Sequence, residues 1–176
     1  MVSRKYTGDY RLENITTPSG KVKTVPVYRG EWFVFVCNEK EVKQIKRLYP
    51  AFSVLIAALF LLVMLLNAPC GHIYYAMVPF AAMVFPVFFA LAAAYRLLTA
   101  KEKVTREHRD KTVNRYISVS LFLMVFSALS LAGHIAYCFI HAPVAKDFIS
   151  LGSAALICAM SVYMFVNRKK LKMQKA

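Results

Sequence analysis

The chain has 176 residues, 59% of them hydrophobic and 14% aromatic, with a mean hydropathy of +0.48. That excludes an ordinary soluble domain, in which roughly 45–50% of residues are apolar. A formal net charge of +14 is unevenly placed, because residues 51–95 and 116–145 contain no Asp, Glu, Lys or Arg, the pattern of a chain that lives in lipid.

Residues 1–50 are polar without being low in complexity, and they read as a small strand-rich cap. ThrProSerGly at 17–20 is a turn between two β-prone stretches, and ArgGly at 29 and 30 begins another reversal. GluTrpPheValPheValCys at 31–37 is the strongest strand, apolar on both faces and so in need of cover on both. Pro26 marks its own stretch as an edge strand. Asn38, with Glu41 three residues on, reads as the N-cap of an amphipathic helix whose Val42, Ile45 and Tyr49 share a face. That helix is expected to reach Pro50, then either lie on the membrane surface or feed into the first span. Fifty residues bury too little apolar surface to stand alone, so the cap is expected to dock on the bundle or on a partner.

Four apolar runs follow, at about 51–67, 73–98, 116–140 and 148–167, with a basic tail at 168–176. The first is about long enough to cross a hydrocarbon core of roughly 30 Å at about 1.5 Å per residue. It is expected to act as its own insertion signal, with no cleavable leader. Pro79 and Pro86 interrupt the second run, which predicts one kinked helix. The fold expected is an all-α membrane protein, a four-helix transmembrane bundle preceded by the strand-and-helix cap.

Basic residues set the expected orientation. Ten precede the first span, six lie in the connector 99–115 and five in the tail, whereas the two short connectors carry none and one, Lys146. Both termini and the long connector are therefore expected to be cytoplasmic in a multi-pass protein of the cell membrane. The basic coat is expected to face anionic headgroups and not nucleic acid, since no aromatic-studded groove accompanies it.

On the opposite side, HisIleAlaTyrCysPheIleHis at 134–141 places His134, Cys138 and His141 within an arc of about 60° on a helix. The first connector brings Cys70 and His72 to the same side, and Asp147 opens the fourth span there. His72, His134, Cys138 and His141, with Cys70, are thus candidate ligands for zinc, copper or a haem iron, and a Cys70–Cys138 disulfide is equally open. The competing reading is that these are ordinary polar residues of a wet interface. No CxxC, HExxH or CxxCH spacing occurs.

No phosphate loop, nucleophile elbow, or carboxylate or lysine deep in a span points to catalysis or ion-coupled transport. Serines 118, 120, 127 and 130 of the third span read as packing surface and interhelical hydrogen bonds. So do the small residues at 152–155, 159 and 161 of the fourth. The leading expectation is a non-enzymatic accessory or interaction subunit, a homo-oligomer or part of a larger membrane complex. The alternatives are the outer-face metal, haem or thiol protein, and a small lipid or hydrophobic-ligand carrier using the cleft beside Pro79 and Pro86.

Overall fold

The computed structural model describes residues 4–16 and 22–176. Four of its helical stretches, Glu39–Leu66, Tyr74–Leu98, Arg106–Ile140 and Ala145–Leu171, are long and apolar enough to cross a membrane, so the chain is a multi-pass membrane protein. Large apolar side chains such as Leu65, Phe85 and Phe139 point outward from these helices, as lipid-facing residues do.

Helix α1 (Glu39–Leu66) passes through Pro50 without ending, so the juxtamembrane helix feeds directly into the first span. Asn38 is its N-cap in extended conformation, but the side chain makes no capping bond; its carbonyl starts the ladder by accepting from the Val42 amide. Glu39 and Glu41 in the first turn suit the positive end of the helix dipole. Asn67 ends α1 in the left-handed region (φ 47°), which asparagine tolerates better than most side chains.

The second span is broken. Helix α2 (Tyr74–Ala82) and helix α3 (Val84–Leu98) meet at Met83. Pro86 falls in the first turn of α3, where its missing N–H is harmless, yet it leaves the Ala82 carbonyl without its usual partner. Pro79 does the same to the Tyr75 carbonyl inside α2.

The third span opens with a short helix, α4 (Arg106–Arg109), widens into a π turn over Asp110–Asn114 and continues as α5 (Arg115–Ile140). Helix α6 (Ala145–Val166) completes the bundle. Helix α1 packs on α3 and α6, and α5 packs on α2, α3 and α6. The core joins Ile56 and Phe60 of α1, Ala90 and Leu97 of α3, Tyr116 and Leu123 of α5, and Ile157 and Met164 of α6. Gly133 brings α5 against α2: a Cβ there would lie 2.7 Å from the Tyr75 carbonyl oxygen and 2.8 Å from Ala76 Cα. The carbonyl that Pro79 frees thus faces a Cα–H of Gly133.

The small residues of α5 and α6 are divided. Ser120, Ser127, Ser130, Ser153, Ala154 and Ser161 are buried, whereas Ser118, Gly152 and Ala159 face outward. The expected interhelical bonds are mostly absent from this set. Ser120, Ser127, Ser153 and Ser161 donate to carbonyls three or four residues back on their own helices, which a short hydroxyl reaches more easily than a neighbouring helix.

Two small sheets occupy one end of the bundle. β1 (Tyr10–Thr16) and β2 (Val22–Tyr28) form an antiparallel hairpin with Leu12 opposite Pro26; the turn at 17–20 lies outside the described residues. β3 (Trp32–Phe35) is the centre of a second sheet, between β4 (Val104–Thr105) and β5 (Met173–Lys175), antiparallel to both. Its partners come from the 99–115 connector and the carboxy-terminal tail, neither of which reads as a strand. Only one of the two faces expected to need cover is buried: Phe33 packs with Ala100 and Val104 against Met173, with the Arg109 guanidinium 4.0 Å above its ring, whereas Trp32 on the other face is 43% exposed.

Candidate functional site

At the end of the bundle away from the sheets, the expected ligand residues do not converge on a common point. His134 is 3% exposed and ties α5 to α6. Its Nδ1–H donates to the Ser130 carbonyl at 2.8 Å, so in the neutral ring the Nε2 lone pair accepts from the Ser150 hydroxyl at 3.0 Å. The atom that would bind a metal is occupied by a hydroxyl proton. Helix α5 stops at Ile140, and His141 follows in extended conformation, off the helical arc, exposed and stacked on the Tyr137 ring at 4.8 Å. His72 is also exposed and lies 3.1 Å from the Asn67 side-chain oxygen. Among the described residues, no group of three or more His, Cys, Asp or Glu side chains could hold a metal ion.

Cys70 and Cys138 do meet, as free thiols in a small cluster with Ala68 and Tyr137. Burial pushes the Cys70 thiol up to about 11, and the neighbouring Asp147 carboxylate adds to the rise. Asp147 is the residue that organises this end. Only 1% exposed, it accepts the Cys70 amide on Oδ1 and the Val144 amide on Oδ2, both at 2.9 Å. It therefore caps α6 and holds the first connector against it. A pocket of about 160 Å³ reaches His134 and Ser150 from this end, with His72 at its rim.

A larger cavity lies elsewhere. A cleft of about 670 Å³ runs between α3 and α5 toward the sheet-bearing end. Phe85, Pro86 and Phe89 form one wall, and Val119, Phe122 and Phe126 the other. It straddles the break at Met83, since Ala82 and Phe85 on either side both line it. Its polar end is the π turn and the first turn of α5, with Asp110, Asn114, Arg115 and Ser118.

These polar groups differ in how fully they are engaged. Asp110 Oδ1 accepts from Arg109 at 3.0 Å and from Asn114 Nδ2 at 3.0 Å, and Oδ2 accepts from the Tyr6 hydroxyl at 3.1 Å with Lys5 at 3.5 Å. Arg115 has no ion pair among the described residues; its guanidinium lies 5.1 Å from the centroid of the Phe89 ring. Sequence reading placed a possible cleft near the two prolines. It missed the polar end, because the π turn that presents Asp110 and Arg115 together has no signature in residue order.

From Arg115 to Phe126, the lining of α5 covers twelve residues, about 16 Å of helix between the first and the last, close to half of a hydrocarbon core of roughly 30 Å. The lining is as long as one leaflet is deep, with an aromatic body and a polar end. The chain matches no family model, and neither curated proteins nor solved structures yield a similar protein.

Proposed function

We propose that this chain is a non-catalytic integral membrane protein that holds the tail of a lipid or lipid-like ligand in the cleft between α3 and α5. The carrying observation is the cleft itself: about 670 Å³, walled by four phenylalanines, with all its charged groups at one end. An apolar body with a few convergent polar groups is the usual form of a site for an amphiphile. The asymmetry of basic residues supports placing the sheets, both termini and the polar end of the cleft on the cytoplasmic side of the cell membrane.

Native mass spectrometry after exhaustive detergent exchange tests this reading. The wild type is expected to retain about one lipid per chain, and Ser118→Trp or Ala82→Phe, which fill the cleft from its two ends, is expected to lose it. Val162→Trp, on the exposed face of α6, should retain it. A wild type stripped of lipid, or retention unchanged in both cleft-filling variants, overturns the proposal.

A further inference from the structure

On the reading that the cleft holds a lipid tail, we propose that it selects lipids with an anionic headgroup, and that Arg115 is the residue that selects them. Three observations converge on this. Arg115 stands at the polar end of the cleft, half-buried and without a carboxylate partner among the described residues. The one acid that lines the cleft, Asp110, is already neutralised by Arg109 and Lys5, and both of its oxygens accept hydrogen bonds. The mouth therefore carries net positive charge from Lys5, Arg109 and Arg115 against a single carboxylate. Finally, the length of the lining matches the depth of one leaflet, so a chain lying along Phe122 and Phe126 puts its headgroup at the level of Arg115.

The guanidinium is suited to the task. It offers planar paired donors to phosphate oxygens, and its face already rests on Phe89, which limits the rotamer freedom it has to lose. Asn114 stands beside it, exposed, with a second amide N–H beyond the one it gives Asp110, while the Ser118 hydroxyl donates to the Asn114 carbonyl at 3.2 Å and keeps its lone pairs to accept. The occupant is a lipid and not a soluble anion, because the aromatic walls give a free phosphate nothing to bind.

The test compares phosphatidylglycerol with phosphatidylcholine of identical chains, titrated against delipidated full-length protein in detergent and read by native mass spectrometry. The wild type is expected to prefer phosphatidylglycerol by about tenfold: both lipids offer the guanidinium the same phosphodiester, but only phosphatidylcholine also brings a quaternary ammonium that the positive mouth repels. Arg115→Gln is expected to bind both lipids more weakly and with nearly equal affinity. Arg115→Lys, which keeps the charge but loses the fork, should retain part of the preference. Lys169→Gln, a basic tail residue away from the cleft, should leave the preference intact.

Binding of both lipids with no preference in the wild type, or a preference that survives Arg115→Gln, overturns this inference and leaves the lipid cleft standing. Failure of both lipids to bind sinks the cleft reading with it. Competition by inorganic phosphate alone at millimolar concentration would make this a soluble-anion site and would also overturn the proposal.

Discussion

Gly133 shows how much of this bundle depends on single atoms. Its missing side chain admits the α2 backbone at a point where Pro79 has left the Tyr75 carbonyl without its helical partner. Gly133→Ala would place a methyl group 2.7 Å from that oxygen, against backbone that cannot rotate away. A loss of about 1–3 kcal/mol is expected, read as a lower unfolding temperature in detergent. Gly152→Ala is the control, because a Cβ there meets nothing within 4 Å, and it should be neutral or slightly stabilising. His134 carries the same lesson in reverse. Its residue type and helical position suggested a ligand, but its partners, Ser130 and Ser150, show a ring used to join two helices. Which hydroxyl would take the Nε2 lone pair depends on how α6 packs, which no spacing along α5 encodes.

At the scale of elements, the second span is the part that makes a site. Both of its halves pack on α5, and the space between α3 and α5 that the phenylalanines line straddles the discontinuity at Met83. Pro86→Ala restores an N–H to the Ala82 carbonyl and removes the ring that opposes a continuous helix. It is expected to raise helicity slightly and to reduce retained lipid several-fold, measured by circular dichroism and native mass spectrometry on the same preparation. Unchanged lipid retention in a straightened helix would separate the break from the site. The prolines were legible in the sequence as a kink. The π turn was not, since no residue pattern demands its wider hydrogen-bond spacing.

Across the whole molecule, the sheet around β3 ties together three stretches that are far apart in sequence. The amino-terminal segment supplies β3, the 99–115 connector β4 and the tail β5, so one small sheet holds the ends of the first, third and fourth spans in register. Tyr6, 5% exposed, adds a further link by donating to Asp110 at the mouth of the cleft. Removing residues 172–176 deletes β5 and the Ala176 amide bond to the Trp32 carbonyl. The single tryptophan, Trp32, is then expected to shift its emission to the red, and trypsin to cut near Arg29 and Arg47, while the helicity of the bundle is unchanged. Protection equal to that of the full chain would show that β5 is dispensable to the sheet.

Composition alone determined that this chain has four membrane-crossing helices, because burial in lipid is a demand on each segment separately and can be read along one dimension. The positions of charge gave the proposed sidedness for the same reason. Only the tertiary structure decided that His134 turns inward, that His141 leaves the helix, that the tail becomes a strand and that Arg115 stands beside an aromatic cleft with no ion pair among the described residues. Each of these depends on which surface of one helix meets which surface of another, a relation between distant residues that local sequence does not carry.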